Sequence, residues 1–388
     1  MSHGDERICT EQQRVAGRLL AQMVRGELAP GTRLPAERDL ASRFEVSRRT
    51  VNLALELLQE QGLVHQVSPR IRHVADDITA RLSAMRAQAV VIRSRRYEPC
   101  EPGSDDAMAD DVIAGIRDQG FEPLIYHPED LDREHLRALV TRSPVSLVLL
   151  GQAANTPAGQ AAAREFLAIE VPVVGYTDVM RHDAAADFPV DRVQSDQRAG
   201  GRLVAERLIT AGAKRLLRFW DVDSAFEAPQ HWLCERDAGV LEALAAAGLP
   251  VIAPPDPVRV ANGTDPSRAA FDRMVRIVAG FLAEYLLAEN PVDAVLAKSD
   301  KEFIYVAAAC RLLGREPGRD ILITGYDHTL HRYPELRWEP ARPFVTVDKR
   351  MGAIGRAMLT LMNERVAGTL TGPPVTRTLE PELVLTKH

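Results

Sequence analysis

The chain has 388 residues, of which 46% are hydrophobic and 26% are charged, and its formal net charge is −6. That length exceeds one small domain and suits two or three, and the composition is that of an ordinary soluble globular protein. No apolar run approaches the roughly 20 residues that a membrane-spanning helix needs, and the polar N-terminus has no apolar signal-peptide core. The four cysteines are scattered without the paired spacing of a zinc site or a disulfide framework. The sequence therefore predicts a cytoplasmic protein with no metal and no cofactor.

The charge is unevenly divided along the chain. Residues 1–75 contain eleven Arg and nine Asp or Glu, which gives this N-terminal part a net charge of +2. Because the whole chain has a net charge of −6, the remaining residues carry −8. A weakly basic head on an acidic body is the pattern expected if the head alone contacts DNA. Because this charge is too small to bind DNA tightly, we expect two heads to act together in a homodimer.

The head has the pattern of three helices followed by a small β-wing. Residues 10–25 have helical periodicity and end at a segment rich in glycine and proline. The stretch PAERDLASRFEVSRRTV, residues 35–51, then has the apolar spacing of two short helices separated by a tight turn. Ser47 is placed as the N-cap of the second of these helices. The segments LVHQV and RIRHV, on either side of Ser68–Pro69–Arg70, predict two short strands of a wing.

Two arginines, Arg48 and Arg49, stand at the exposed start of the second short helix. The arginine fork matches the O6/N7 edge of guanine, and it also binds phosphate. The stretch therefore predicts a helix-turn-helix whose second helix enters a major groove. The alternative is a solvated, arginine-rich surface, and the flanking segments favour the first interpretation.

The run GELAPGTRLPAERDLASRFEVSRRTVNLALELLQEQGLV, residues 26–64, closely resembles the winged helix-turn-helix of GntR-family regulators in order and spacing. The resemblance implies that Arg38 reaches DNA from the helix before the recognition helix. It also implies that Arg48 reads a base edge, and that Arg49 with Thr50 contacts phosphate or base.

The sequence departs from this family at two places. Asn52 stands where many relatives carry a second arginine, and the wing lacks a glycine-rich tip. The predicted DNA-binding residues are Arg38, Ser47, Arg48, Arg49, Thr50, Asn52, Ser68 and Arg70.

Short apolar runs alternate with helical patterns in the body. Strands are predicted at 89–92, 122–126, 146–150, 171–176, 215–220, 293–297 and 321–326, with helices at 106–119, 130–142 and 158–169. Such alternation indicates βαβ units, and so parallel sheets with helices on both faces. There are too many strands for one compact sheet, which favours two lobes. We therefore divide the chain into a head at 1–76, a linker at 77–87 and a two-lobed effector-binding and dimerisation domain at 88–388.

Three segments of the body, at 193–219, 294–329 and 344–368, resemble LacI/GalR-family regulators. The resemblance implies an α/β, periplasmic-binding-protein-like domain with two parallel sheets flanked by helices. It also implies that the chain crosses between the lobes three times, which we place near 213, 347 and 371. Ligands of open α/β sheets bind at the carboxyl ends of the strands, so the cleft between the lobes is the expected effector site.

The same resemblance suggests residues for that cleft. The predicted effector contacts are Arg236, Ser299, Asp300, Asp327, Lys349 and Trp220. Ser299 stands where the family usually has asparagine, and Lys349 stands where it often has glutamine. Three alternatives stay open: Asp300 caps its own helix, Arg236 is a surface ion-pair partner, and Trp220 belongs to the hydrophobic core.

The effector class implied is a sugar, a sugar acid or a sugar phosphate. If Lys349 and Arg236 both face the cleft, their mutual repulsion favours an anionic ligand group. If Lys349 instead turns outward or pairs with Asp300 or Asp327, the site suits a neutral sugar.

Together these features predict a ligand-responsive transcriptional regulator, a repressor that binds double-stranded operator DNA as a homodimer without contacting a membrane. One alternative is a ligand-binding receptor without a DNA role, against which the winged head argues. The other is an enzyme on a doubly wound fold. We expect no enzymatic activity, because the sequence has no G-x-G-x-x-G after a strand, no Walker loop and no G-x-S-x-G.

Overall fold

A computed structural model describes residues 10–24, 26–69, 71–78, 88–93, 104–142, 144–176, 190–223, 231–253, 258–260 and 267–385. These residues form an N-terminal head, comprising residues 10–78, and a body of two α/β lobes. The predicted fold class is confirmed. None of the helices in these ranges is both long and apolar enough to cross a membrane.

The head contains α1 (Glu11–Val24), α2 (Glu37–Phe44), α3 (Arg48–Glu60) and the antiparallel strands β1 (Val64–Ser68) and β2 (Ile71–Val74). Helix α3 begins where predicted, because Oγ of Ser47 accepts a hydrogen bond from the amide of Thr50 at 3.1 Å. The turn before it is tight, since Glu45 adopts the left-handed conformation with φ of 57°. Ile78 packs into the head's core, two residues past the predicted end of the head at 76.

The body alternates strands and helices in the predicted order. Its first part contains β3 (Gln88–Arg93), α4 (Ser104–Asp118), β4 (Glu122–Tyr126), α5 (Arg133–Arg142), β5 (Ser146–Leu150), α6 (Pro157–Ala168), β6 (Val173–Tyr176) and β7 (Asp191–Ser195). The second part contains α7 (Gln197–Thr210), β8 (Leu216–Phe219), β9 (Asp221–Asp223), α8 (His231–Ala247), β10 (Val258–Val260), α9 (Arg268–Leu286), β11 (Ala294–Ala297), α10 (Asp300–Leu312), β12 (Leu322–Thr324), β13 (Val345–Asp348), α11 (Met351–Val366), β14 (Thr376–Leu379) and β15 (Glu382–Leu385).

The first lobe is built on a parallel sheet whose described strands lie in the order β14-β7-β6-β5-β3-β4. Alternate residues of each strand point to opposite faces. Val91 and Val148 face α4 and α11, whereas Val90 and Leu147 face α5 and α6. Both faces are buried, which explains why these strands read as continuous apolar runs.

The second lobe has the described strand order β15-β13-β12-β11-β8, in which only β15 runs antiparallel to its neighbour. Helices α7 and α8 cover one face, where Leu208 and Leu244 pack on Leu216 and Leu296. Helices α9 and α10 cover the other face.

The chain crosses between the lobes three times within the described residues, as predicted, but two of the three positions were wrong. The first crossing is at Asp196, not near 213, because α7 buries its apolar face in the second lobe. The second follows β13 at 349–350, close to the predicted 347. The third lies at 380–381, between β14 and β15, rather than near 371. The apolar pattern predicts each strand and helix, but it does not encode which sheet a helix will cover.

Candidate DNA-reading head and effector cleft

Exposed arginines surround the start of the recognition helix. Arg48 and Arg49 are the first two residues of α3, and both are exposed. Arg38, on α2, has a side chain that is 84% exposed, and its Nε lies 3.5 Å from Oδ1 of the neighbouring Asp39. The amide groups at the start of a helix also attract phosphate. This part of the head therefore combines exposed positive charge with a helix N-terminus.

The predicted contact Asn52 is held by two neighbours within the head. Its Oδ1 accepts a hydrogen bond from Nη2 of Arg72 at 2.8 Å, and its Nδ2 donates to Oε1 of Glu56 at 2.7 Å. Nη1 of Arg72 also donates to Oε1 of Glu37 at 2.7 Å. The sequence reasoning missed Arg72. The available signal was its place in IRHV, two residues before Val74, because residues two apart in a strand share one face.

Two of the predicted DNA contacts, Ser68 and Arg70, belong to the wing. Ser68 is half-buried at the end of β1, next to an irregularity in pairing between Gln66 and Ser68. Arg70 lies outside the described residues.

The topology of the second lobe brings five of the predicted effector residues to one edge of its sheet. Each follows the carboxyl end of a strand: Trp220 after β8, Ser299 and Asp300 after β11, Asp327 after β12 and Lys349 after β13. This is the edge at which open α/β sheets bind ligands. Residues 94–103 and 177–189, which follow strands of the first lobe in the chain, lie outside the described residues.

Asp300 is fully buried at this edge. Its Oδ2 accepts hydrogen bonds from the amides of Thr329 and Leu330 at 2.6 and 3.0 Å, and its Oδ1 accepts one from Oγ1 of Thr346 at 2.7 Å. Burial raises the pKa of Asp300 to about 7, against the opposing effect of these donors. A side chain at Gly325 would collide with this carboxylate. Asp300 thus fixes the loop after β12. This favours a structural role over ligand contact, but Asp300 holds a loop and does not cap its own helix, because the N-cap of α10 is Ser299.

The loop that Asp300 holds carries an ion pair. Asp327 and His328 are consecutive non-glycine residues with positive φ, 89° and 54°, a strained conformation that is common at functional sites. Nζ of Lys349 lies 3.1 Å from Oδ1 of Asp327, with side-chain exposures of 10% and 20%. Asp327 therefore compensates the positive charge of Lys349 at the sheet edge, as in the neutral-site alternative.

Arg236 lies inside the second lobe rather than on its surface. It is 2% exposed, and its Nε and Nη2 donate to Oε1 of Gln197 at 3.2 and 2.7 Å. Nη1 donates to the carbonyl oxygen of Lys298, and the guanidinium lies over the ring of Tyr326, 3.2 Å from its centroid. Because Tyr326 immediately precedes Asp327, Arg236 supports the strained loop from within.

Ser299 and Trp220 also have partners within the second lobe. Ser299 is the N-cap of α10, and its Oγ accepts from the amide of Glu302 at 3.2 Å. Trp220 is half-buried, and its Nε1 donates to Oδ1 of Asp237 at 2.7 Å. Its ring packs against the core beneath α7 and α8, in keeping with the core alternative. Nowhere in the described ranges do three or more His, Cys, Asp or Glu side chains form a group suited to a metal ion.

The head rests on the first lobe through α1. Nη2 of Arg14 donates to both carboxylate oxygens of Glu165 at 3.1 and 3.2 Å, and Nε of Arg18 donates to the carbonyl oxygen of Ala168 at 3.0 Å. Gly17 lies so close that a Cβ there would be 2.6 Å from Cγ2 of Ile169. Beside this contact is a groove of about 630 Å³, lined by Glu11, Arg14, Arg18, Phe44, Glu45, Val46, Ser47, Thr50 and Ala168.

The head is similar to those of known bacterial regulators. Residues 11–70 match the sequence profile of the family described as "Bacterial regulatory proteins, gntR family". Over 65 residues the chain is 38% identical to the mannosyl-D-glycerate transport/metabolism system repressor MngR of Escherichia coli, which covers 17% of this chain and 27% of that protein.

A second curated relative extends beyond the head. The arabinose metabolism transcriptional repressor of Geobacillus stearothermophilus is 20% identical over 216 residues, which is 53% of this chain and 55% of that protein. The chain thus spans about half the length of this relative, and less of the other.

Solved structures share the fold of the body. A LacI-family transcriptional regulator from Enterococcus faecium with bound ribose aligns with a TM-score of 0.54 and 15% identity, over 76% of this chain and 96% of that one. A complex of the transcriptional regulator CelR with cellobiose aligns with a TM-score of 0.55 and 21% identity, over 91% and 99%. The chain therefore joins a winged helix-turn-helix head that matches the gntR family profile to a body that shares the periplasmic-binding-protein-like fold of solved LacI-family regulators.

Proposed function

We propose that this protein is a DNA-binding transcriptional repressor whose operator affinity changes when a small sugar-like molecule binds between its lobes. The observation that carries the proposal is the exposed pair Arg48–Arg49 at the capped start of α3, on a head of the gntR family. Both curated relatives are named as repressors of sugar-related metabolism, and these names support repression rather than activation. Under this proposal the protein acts in the cytoplasm, where chromosomal DNA lies.

In this proposal the exposed arginines contact different parts of the DNA. Arg48 donates to a guanine edge in the major groove, and Arg49 with Thr50 contacts the adjacent phosphate or base. Arg38 contacts phosphate from α2, so it contributes affinity more than sequence preference.

We further propose a homodimer paired through the body, with the two heads on half-sites about one or more helical turns apart. Binding of effector in the cleft changes how the lobes sit, and thereby the spacing of the heads. The ligand shifts this equilibrium only as far as it binds one arrangement more tightly than the other.

The charge at the sheet edge favours a neutral effector. Lys349 pairs with Asp327, so its charge is already compensated before any ligand enters. Arg236 is 2% exposed, and its guanidinium donates to Gln197 and to the carbonyl oxygen of Lys298, so it is directed into the lobe rather than toward a ligand. The Asp327 carboxylate accepts hydrogen bonds from ligand hydroxyls, as suits a neutral sugar better than a sugar acid or phosphate. The ribose and cellobiose bound to proteins of the same fold are neutral sugars.

The DNA function is tested by selecting bound sequences from a random double-stranded DNA library with the full chain. We expect an inverted-repeat operator. Failure to enrich any sequence would favour the receptor without a DNA role. Thermal-shift screening of a sugar library then identifies the effector, since a ligand that binds only the folded state raises its melting temperature.

The effector class is tested by calorimetric titration of matched neutral and acidic forms of the sugar so identified. We expect the neutral form to bind more tightly to the wild-type protein, and Asp327→Asn to weaken its binding. Tighter binding of the acid would contradict the charge argument while leaving the DNA function intact.

A further inference from the structure

We propose that Arg72 is a positioning residue that fixes the wing against the recognition helix, and that Asn52 serves as its acceptor rather than as a reader of bases. The inference rests on the proposed DNA-binding function. It assigns a role to the place where the chain departs from its GntR-family relatives.

The guanidinium of Arg72 connects three elements of the head. It projects from wing strand β2, and it donates from Nη1 to Glu37 at the start of α2 and from Nη2 to Asn52 in α3. The planar arginine fork holds its donors at fixed angles, so these two contacts together fix the direction of the side chain. Its side chain is only 9% exposed, so it lies within the head rather than at a surface available to DNA.

The orientation of the Asn52 amide follows from its partners. Arginine only donates hydrogen bonds, and a carboxylate only accepts them. The amide oxygen must therefore face Arg72, and the amide nitrogen must face Glu56, as observed. With its oxygen and its nitrogen each engaged within the head, the Asn52 amide is held in one orientation rather than free to turn toward a base.

A fixed wing affects sequence preference more than general affinity. Non-specific binding depends on the phosphates that the protein neutralises, and Arg72 is buried away from them. Base readout requires α3 and the wing to meet their grooves in register, and this register is what the Glu37–Arg72–Asn52 contacts hold. Loss of the fork should therefore lower the ratio of operator binding to non-specific binding.

The test uses full-length protein, the operator selected with the wild type, and a scrambled duplex of equal length. Arg72→Met keeps the apolar stem and removes the fork, and we expect it to lower the operator-to-scrambled affinity ratio by about tenfold. Asn52→Ala should lower the same ratio. The double variant should lose no more than Arg72→Met alone, because both changes remove one interaction.

A salt titration separates positioning from direct contact. For Arg72→Met we expect an unchanged slope of log affinity against log salt on the scrambled duplex. A slope reduced by about one would show a lost phosphate contact and overturn the inference. Additive losses in the double variant, or an unchanged ratio in folded Arg72→Met, would overturn it as well.

A second, more conservative variant separates loss of the arginine fork from loss of charge or of folding. Arg72→Lys keeps the charge but not the fork, so we expect an affinity ratio below that of the wild type. A wild-type ratio in folded Arg72→Lys would show that charge alone suffices and would overturn the positioning role. Failure of the wild-type protein to select any operator would overturn the proposed function, and this inference with it.

Discussion

At the scale of single residues, exposure separates the arginines of the head by role. Arg38, Arg48 and Arg49 extend into solvent, whereas Arg72 is buried against carboxylate and amide partners. All four carry the same charge, so composition alone cannot distinguish them. Under the proposed function, burial therefore decides which of the four can contact DNA.

We expect Arg48→Ala to cost about 1–3 kcal/mol of base discrimination, because it removes the bidentate base contact proposed for this side chain. The fold should be unaffected, since the side chain is exposed at a helix start and Ser47 still caps α3. Gel-shift titration on the selected operator measures the loss. Arg38→Ala provides the comparison, because we expect it to weaken binding to all DNA sequences evenly. Unchanged operator affinity in both variants would refute the assignment of α3 as the recognition helix.

The buried carboxyl of Asp300 gives a prediction in pH. Burial raises its pKa from 3.8 to about 7, so between these values the folded state holds a proton that the unfolded state has released. The associated stability is fully present below pH 3.8 and is lost as pH rises through about 7. The unfolding free energy should therefore fall by up to about 1.4 kcal/mol per pH unit within this window.

Asp300→Asn removes the titration. We expect the protein to be less stable by about 1–3 kcal/mol, because an amide cannot accept from all three donors. Its melting temperature should lack the fall that the wild type shows from about pH 5 to about pH 8. Equal pH profiles for the two proteins, measured by differential scanning fluorimetry, would contradict the raised pKa.

At the scale of elements, α1 both completes the core of the head and docks it on the first lobe. Gly17 permits this approach, since a Cβ at that position would overlap Ile169. The Arg14–Glu165 pair beside it is largely buried, with side-chain exposures of 11% and 6%. A helix with two packed faces leaves little surface that tolerates substitution.

We expect Gly17→Val to separate the head from the first lobe while the head stays folded, because Gly17 lies in a regular helix where valine fits the backbone. Hydrogen exchange should become faster in the segment 165–169. Gly280→Val is the control, because a Cβ at this helical glycine would meet nothing within 4 Å, and it should leave exchange in this segment unchanged. Unchanged exchange in the Gly17→Val variant would argue against the docked arrangement.

Local patterns predicted local structure well. The cap at Ser47, the two wing strands and the alternating strands of the body follow from propensity and periodicity, and all were confirmed. The lobe crossings at Asp196 and 380–381 did not follow, because they depend on which sheet a helix covers.

At the effector site, too, local patterns predict the position of a residue in the chain but not its partners in the fold. Its residues were predicted at strand ends, and the sheet topology places five of them at one edge. Their partners could not be found this way. Thr346 and Gln197 hold Asp300 and Arg236 across sequence separations of 46 and 39 residues, and no local pattern marks such contacts.

At the scale of the whole molecule, the head and the two lobes have separate cores. The head core draws on residues up to Ile78, and the body buries its own clusters on both faces of each sheet. The body therefore has the interior needed to fold without the head.

We expect residues 88–388 alone to sediment as a dimer at about micromolar concentration, because the proposed pairing surface lies in the body. Analytical ultracentrifugation of this fragment and of the full chain measures the masses. A monomeric fragment beside a dimeric full chain would move the pairing surface to the head or the linker.

The docking of α1 limits how freely the two parts can be exchanged in engineered regulators. A chimera that moves residues 1–76 onto a foreign body carries Arg14 and Gly17 without the Glu165 and Ile169 that they meet here. Such a hybrid would keep the operator preference proposed for its head, but it would lose the contacts that fix the orientation of the head relative to the body. Grafts intended to stay responsive should therefore transfer the surface around 165–169 together with the head, so that the unit of exchange is the docked pair rather than the DNA-binding domain.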